Sequence, residues 1–205
     1  AYIENGSGRL ETRERDGELA VEFQSSDRFS VAYGDTRELL PRPFLIAPGV
    51  TLPVGIFDFA SVRTAFNLGQ QRRVSANVAL EYGTFYSGHK SALELSRGRM
   101  TIAPRLSVEP SLSINWVDLP EGSFTTHLVG SRVTYTMTPL MFASALLQYN
   151  SSSNAVTANV RLRWEYQPGS ELFVVYNEQR DTLAPRFPTV ANRALVVKVN
   201  RLLRF

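Results

Sequence analysis

The chain has 205 residues, of which 43% are hydrophobic and 20% are charged, a balance that excludes a disordered protein. No run approaches the roughly 18–20 consecutive apolar residues of a membrane-spanning helix, which excludes a helical membrane protein but leaves a β-barrel open. The absence of cysteine excludes disulfide scaffolds and thiolate metal sites, and the net charge of +3 is scattered along the chain, so nucleic acid is not an expected partner.

The first part of the chain alternates apolar and polar residues with a period of two, the pattern of a half-buried β-strand. Leu19, Val21 and Phe23 alternate with polar or small residues, and a second alternating run follows at 29–34. Asp16-Gly17 is a hairpin signal and predicts a turn at that point. No capped window with helical spacing is present, so the region is predicted to form strands joined by short turns.

The stretch Leu39–Val54 holds four prolines among apolar residues. Proline at this density cannot continue a central strand, because it lacks the N–H group that a sheet ladder needs. We expect a long loop here, which either folds inward as a constriction or lies over the mouth of the fold. A further strand is expected over Gly55–Leu68.

The remaining chain repeats strand and connection at intervals of ~17–20 residues, longer than the ~8–12 typical of soluble sandwiches. The most regular alternation lies in 106–119, whereas Ser91–Thr101 is ambiguous because Leu93 and Leu95 share their parity with two arginines. Tight turns are expected at 69–72, 103–105, 138–140 and 167–170, and looser loops at 87–90, 120–123, 151–154 and 181–192.

The alternation of tight turns with longer loops matches an up-and-down barrel, whose short turns are periplasmic. The apolar rows run the full length of the strands, which a soluble β-sandwich would not need. We therefore predict an all-β fold over residues 1–205, an antiparallel up-and-down transmembrane β-barrel of about 12 strands in a bacterial outer membrane. The alternative is a soluble sandwich whose aromatic residues fall at strand ends by chance.

Aromatic residues of the apolar faces gather toward the strand ends, where amphipathic rings would lie at the two interfaces of a ~25 Å lipid band. The lipid bilayer is therefore an expected partner. The expected interface aromatics are Phe66, Tyr135, Trp164, Tyr166 and Phe205 near the turn rim, and Tyr86, Trp116, Tyr149 and Tyr176 near the loop rim.

Charged residues of the opposite faces are the candidates for lining a polar lumen, where they would set ion and solute preference. An equally weighted alternative is that they pair across neighbouring strands and only keep the interior hydrated. These lumen-lining candidates are Glu22, Glu81, Glu109, Arg132, Arg161, Arg163, Glu165, Lys198 and Arg204.

A hydrolase on the barrel is a further interpretation. Ser87, His89 and Asp118 would then be neighbours, but nothing in their spacing supports this arrangement. His127 is the second of the two histidines in the chain. No metal-ligand cluster, phosphate-binding glycine loop or nucleotide motif occurs in the sequence. We therefore expect no enzymatic activity, no metal and no cofactor.

Five strings carry a family resemblance: LPRPF at Leu40–Phe44, NWVDLPEG at Asn115–Gly122, LLQYNSSS at Leu146–Ser153, NVRLRWEYQPGSELFVVY at Asn159–Tyr176 and NRLLRF at Asn200–Phe205. They resemble a family of large bacterial outer-membrane proteins with an N-terminal carbohydrate-binding family-nine-like module and a C-terminal barrel. The resemblance implies a C-terminal barrel segment, which closes alone or needs further N-terminal strands. A terminal Phe205 also resembles the residue by which the barrel-assembly machinery recognises outer-membrane proteins.

Two functions follow as expectations. In the first, the polar lumen gives a porin-like passage or uptake route for solutes, including glycans, given what the resemblance implies. In the second, the lumen is plugged and the barrel is a membrane anchor for a glycan-binding or partner-binding module. The sequence does not rank the two.

Overall fold

The computed structural model describes residues 2–4, 10–183 and 189–203, which form β-strands and their connections. Within these ranges, no helix has the length and apolar character to cross a membrane. The strands are β1 (Tyr2–Glu4), β2 (Leu10–Glu22), β3 (Arg28–Leu40), β4 (Phe44–Ala47), β5 (Val50–Leu52), β6 (Gly55–Asn67), β7 (Val74–Phe85), β8 (Gly88–Ala103), β9 (Leu106–Leu119), β10 (Gly122–Thr138), β11 (Met141–Asn150), β12 (Ala155–Gln167), β13 (Ser170–Asp181) and β14 (Thr189–Asn200).

Twelve of these strands form one sheet in the order β1-β2-β3-β6-β7-β8-β9-β10-β11-β12-β13-β14. Each strand lies beside its neighbour in the chain, except that the two-stranded hairpin β4-β5 is inserted between β3 and β6. The pairings of β2 with β3 and of β12 with β13 are antiparallel throughout. The prediction of an all-β, antiparallel up-and-down fold with about 12 strands is therefore confirmed.

Three local predictions need correction. Asp16 and Gly17 do not form a turn but lie inside β2, where they pair with Gly34 and Tyr33 of β3. The expected loops at 87–90 and 120–123 shrink to two-residue turns, because β8 begins at Gly88 and β10 at Gly122. A short turn signal inside an otherwise alternating run is overridden here by pairing with a long neighbouring strand.

The proline-rich stretch also differs from the expected plain loop, because it contains the hairpin β4-β5. None of its four prolines lies within the two short strands: Pro41 follows the end of β3, and the other three border β4 or β5. Pro48 and Gly49 form the connection, and Gly49 has a φ of 80°, as the third position of a type II turn requires. Proline thus limits the length of the strands without preventing the hairpin.

The described residues divide into two compact units, the first within 1–70, 76–95 and 113–126 and the second within 71–75, 96–112 and 127–205. In the first unit, strand register separates two faces. Leu19, Val31, Thr64 and Leu80 are directly opposite one another on the apolar face. Glu18, Ala32, Arg63 and Glu81 are opposite one another on the polar face.

The hydrophobic core of the first unit lies where the hairpin meets the polar face. Leu52 is fully buried and Val50 nearly so, and both pack with Leu40, Val117 and Leu119. Leu40 shares the parity of Glu38 on β3, which places this core on the polar side of the sheet. The partly buried hydrophobic residues around it are Ile46, Ala47, Phe57, Phe85, Tyr86 and Phe124.

The second unit has the same division into faces. Ala145, Val160, Tyr176 and Leu195 are opposite one another on its apolar face. Phe142, Arg163, Phe173 and Lys198 are opposite one another on its polar face. The last strand, β14, begins at Thr189, inside the loop expected at 181–192, and ends at Asn200. Beyond it, the backbone N–H of Leu202 donates to Ser170 Oγ at 3.0 Å.

The ambiguous stretch within β8 has a structural explanation at Arg97. This residue has a φ of 50°, in the left-handed region that non-glycine residues seldom adopt. Such a residue inside a strand is a mark of a β-bulge, which shifts the alternation by one position. Met100 and Ile102 beyond it are exposed apolar residues of the other parity from Leu93 and Leu95.

Candidate functional site

The polar face of the first unit carries a chain of four alternating charges. Arg63 Nη2 lies 2.7 Å from Glu94 Oε2, and Arg63 Nη1 lies 3.7 Å from Glu81 Oε2. Lys90 Nζ lies 2.7 Å from Glu81 Oε1. Each carboxylate therefore faces at least one cation, and the four charges sum to zero.

A recess of about 190 Å³ opens beside this charge chain. Its floor is a row of three small residues, because Gly34, Ser61 and Gly83 are directly opposite one another on three neighbouring strands. Two rings, Phe59 and Phe85, line it as well, with centroids 5.7 Å apart and an interplanar angle of 71°. The recess also receives Thr36, Glu81 and Lys90 from the same unit.

The aromatic residues continue from the recess to the base of the hairpin. The ring of Tyr86 lies 5.1 Å from that of Phe59 and 5.3 Å from that of Phe57, centroid to centroid. Its hydroxyl donates to Glu38 Oε2 at 2.7 Å. Burial, together with the hydrogen bond to the carboxylate, raises the pKa of Tyr86 far above its usual value. On the hairpin itself, Phe44 and Leu45 leave 47% and 63% of their surface exposed.

The polar face of the second unit carries two ion pairs and, among the described residues, two further exposed cations. Arg163 pairs with Glu171, and Arg132 lies 4.0 Å from Glu109. Arg161 and Lys198 are exposed on the same face, where Arg161 lies opposite Ser144 and Lys198 opposite Phe173. The arrangement can attract anions more strongly than the neutralised charge chain of the first unit.

Eight of the nine predicted lumen-lining residues lie on the polar face of their unit, as their parity required. Glu22 is opposite Arg28, and Glu81 is in the charge chain. Glu165 Oε1 accepts a hydrogen bond from the N–H of Gly169 at 3.0 Å. Arg204, the ninth, lies outside the described residues. The eight are divided between the units, with Glu22 and Glu81 in the first and the other six in the second.

Among the predicted interface aromatics, Tyr86 does not lie on the apolar face that its position in the alternating sequence predicts. It lies in the turn after β7 with a φ of 48°, and its ring packs against side chains of the polar face instead of continuing the apolar row. Phe205 lies outside the described residues. The aromatics that do lie on apolar faces are Phe66, Trp116, Tyr135, Tyr149, Trp164, Tyr166 and Tyr176.

Sequence reasoning missed three members of the charge chain. Lys90 falls in a stretch predicted to be a loop, although it lies on β8. Glu94 lies in the segment whose parity the left-handed residue Arg97 obscures. Arg63 was not assigned to either face. Its position opposite Glu81 follows only from the pairing of β6 with β7, which a single sequence does not reveal.

The structure does not join Ser87 to His89, as the hydrolase interpretation pictured them. The hydroxyl of Ser87 donates to Glu121 Oε2 at 2.6 Å and not to His89. The imidazole of His89 instead stacks on the ring of Tyr82, with centroids 6.2 Å apart. Tyr82 belongs to the apolar face. His89 also lines an open cavity together with Ser91 and Asp118.

Comparisons with known proteins give distant structural likenesses only. No protein-family model matches the chain. No curated protein matches its sequence. A solved structure titled KdgM porin aligns with a TM-score of 0.39 and 12% identity, covering 91% of this chain and 88% of its own. A second, titled KdgM porin in complex with disordered oligogalacturonate, aligns with a TM-score of 0.38 and 12% identity, covering 92% and 95%.

Proposed function

We propose that this chain is a bacterial outer-membrane β-barrel whose polar lumen gives solutes a porin-like passage. The observation that carries the proposal is the difference between the two faces of the sheet. Large apolar side chains stand exposed on the apolar face of each unit: Leu19 is 83% exposed and Leu80 59% in the first, and Leu195 is 65% exposed in the second. Exposed apolar rows of this extent mark a surface that contacts lipid or another apolar partner.

In this proposal the twelve antiparallel strands belong to a closed barrel, because an open sheet would leave the outer strands with unpaired backbone groups. Closure by this chain alone is compatible with the even strand numbers of bacterial barrels. The resemblance noted in the sequence leaves a larger barrel with further N-terminal strands as the alternative. The apolar face contacts lipid, and its aromatic residues lie at the two interfaces.

The polar face then lines the lumen, and its charges set the preference for ions and solutes. Ion pairs such as Arg63 with Glu94 keep this wall hydrated at little net charge. The exposed cations Arg161 and Lys198 favour anionic solutes. Glycans are a suitable solute class, because the same wall presents aromatic rings beside hydrogen-bonding groups.

The hairpin β4-β5 narrows the lumen in this proposal. It is anchored on the polar face by Leu52 and Val50 and approaches the turn before β10 closely, since a Cβ at Gly122 would stand 3.0 Å from Val50. A tightly packed hairpin of this kind also favours the second candidate function. In that case the lumen is plugged, and the barrel is an anchor for a glycan-binding or partner-binding module.

Two experiments in sequence test the proposal. The first refolds the chain into detergent micelles and compares gel mobility with and without heating. A faster band that heating abolishes is expected for a closed barrel. A single unfolded band that supplying N-terminal strands does not rescue would contradict the barrel.

The second experiment measures single-channel conductance in planar bilayers. An open pore predicts discrete current steps, larger in a variant whose residues 43–53 are replaced by a short Gly-Ser linker. Absence of current in the native chain, with current restored by this replacement, would favour the plugged anchor. Absence of current in both would contradict passage through the lumen.

The recognition of Phe205 by the barrel-assembly machinery belongs to the same proposal. Its support is the alternation of β14 toward the C-terminus, where Leu195, Val197 and Val199 share the apolar face. Deleting the residue should reduce assembly in cells without changing refolding into micelles. Equal assembly of both forms would contradict the role.

A further inference from the structure

We propose that the recess over Gly34, Ser61 and Gly83 binds one pyranose ring of an uncharged saccharide. This inference rests on the proposed function, in which the polar face meets solutes. It adds a subsite of defined chemistry and predicts which glycans the protein retains.

The recess exists because the residues at its floor have small side chains or none. The three residues are opposite one another across three strands, so the backbone forms the floor where neighbouring rows carry Phe59 or Arg63. The recess measures about 190 Å³. This volume is below the ~300–1,000 Å³ of pockets that hold drug-sized ligands, so it suits a single ring.

The lining matches the two-sided chemistry of a sugar ring. The rings of Phe59 and Phe85 form an apolar wall, to which the C–H groups of a pyranose can pack. The carboxylate of Glu81 accepts hydrogen bonds from sugar hydroxyls, and the hydroxyls of Ser61 and Thr36 can both donate and accept. One apolar wall beside several polar groups distinguishes such a ligand from an alkyl chain or an ion.

The charges around the recess favour an uncharged sugar. Lys90 is already engaged, with its ammonium 2.7 Å from Glu81 and 5.4 Å from the ring centroid of Phe85. Arg63 is held between Glu81 and Glu94. To reach a cation, the carboxylate of a uronate would have to displace Glu81 or Glu94 from its ion pair. The uronate would then lie beside the negative charges of those glutamates. Neutral hydroxyls avoid both costs.

The test fills the recess without changing its charges. Gly34 has ordinary strand geometry, and a Cβ there would lie 3.8 Å from Ser61 Oγ, so Gly34→Ala adds an ordinary contact and Gly34→Val fills more of the space. Gly17 provides a matched control, because it lies in the neighbouring strand on the apolar face and a Cβ there meets nothing within 4 Å. The control variant is Gly17→Val.

Binding is measured by calorimetry on the refolded full chain in detergent micelles, with maltotriose, cellotriose, mannotriose and trigalacturonate as probes. At least one neutral trisaccharide should bind at the recess, whereas any binding of trigalacturonate should be insensitive to the Gly34 variants. Gly34→Val should weaken the binding of that neutral trisaccharide at least tenfold and Gly34→Ala by less, while Gly17→Val leaves it unchanged. The heat-modifiable gel band shows that each variant has folded.

Two results would overturn the subsite. One is that no neutral trisaccharide binds in a manner sensitive to Gly34. The other is that the Gly34 variants weaken the binding of trigalacturonate more than that of the three neutral probes. Conductance measurements on the same variants distinguish failure of the subsite from failure of the pore. If the chain conducts but its saccharide binding does not depend on Gly34, only the subsite is refuted. If the chain binds saccharide but carries no current, only the passage is refuted.

Discussion

The hydroxyl of Tyr86 donates a hydrogen bond of 2.7 Å to Glu38 Oε2, which joins the turn after β7 to the end of β3. Glu38 lies two residues before Leu40, the last residue of β3 and a member of the hairpin core. The bond thus fixes the base of the hairpin to a turn on the same rim of the sheet. The unusual backbone of Tyr86, with a φ of 48°, is what directs its ring toward the hairpin.

We expect Tyr86→Phe to loosen the hairpin while leaving the sheet intact. The ring contacts with Phe57 and Phe59 remain, but the charge-assisted hydrogen bond is lost, at a cost of about 1.5–3 kcal/mol. Proteolysis within 41–54 should become faster, and heat-modifiable mobility should stay unchanged. Thr84→Val is a control near the same turn, since the Thr84 hydroxyl bonds to the backbone of Ala60 and not to Glu38. Equal proteolysis in native chain and Tyr86→Phe would contradict the role.

The same bond predicts a pH dependence. Burial and the nearby Glu38 raise the pKa of Tyr86 above that of an unfolded tyrosine, which is about 10. A group whose pKa is raised by folding stabilises the folded state fully below the unfolded value and loses that contribution as the pH rises above it. Tyr86 therefore keeps its proton near pH 10 and contributes no tyrosinate there. The tyrosinate absorbance of the native chain and of Tyr86→Phe should be identical at that pH. One tyrosine fewer in the variant at that pH would refute the shift.

Leu52 and Leu45 offer a test of the hairpin as a constriction. Leu52 is 0% exposed, whereas Leu45 is 63% exposed on the same hairpin. Leu52→Asp should expel the hairpin, because it removes a core side chain worth about 2–5 kcal/mol and would bury an unpaired carboxylate. Conductance should rise in Leu52→Asp and change little in Leu45→Asp. A rise of similar size in both would mean that charge and not displacement causes the effect.

The charges of the second unit predict ion selectivity. Arg161→Glu combined with Arg163→Glu reverses two cations on the polar face and should shift the reversal potential toward cation preference. The control is Arg193→Glu, which lies opposite Glu178 on the apolar face of the same unit. Unchanged selectivity in the double variant, measured under a salt gradient, would show that these arginines do not line the ion path.

The sequence alone predicts the faces of the strands well where alternation is uninterrupted. Val160, Leu162 and Trp164 fall on the apolar face as expected, because side chains in an extended strand must point to opposite sides. The prediction fails for Tyr86, whose left-handed turn takes it out of the alternation. The recess also could not be predicted, since Gly34, Ser61 and Gly83 are brought together only by the register of three strands.

The hairpin shows a different limit of sequence reasoning. Proline density in Leu39–Val54 correctly excluded a strand of the main sheet. It did not reveal that the apolar residues between the prolines would pair with each other and bury Leu52. Burial against Val117 and Leu119, more than 60 residues away in the chain, is a tertiary effect that local pattern does not contain.

Two substitutions of Arg97 should change the free energy of unfolding in opposite directions. A non-glycine residue in the left-handed region costs about 1–2 kcal/mol, so Arg97→Gly should raise the free energy of unfolding by somewhat less than this, because glycine also gives the unfolded chain more freedom. Arg97→Val should lower it, since a β-branched side chain tolerates this backbone least. Urea unfolding of the refolded chain in micelles measures both changes. Arg99→Gly and Arg99→Val are matched controls, because Arg99 lies in the same strand without a positive φ and should show the reverse order. If the variants at both positions rank alike, the left-handed bulge does not exist in the folded protein, and the alternation of β8 would have to be continuous.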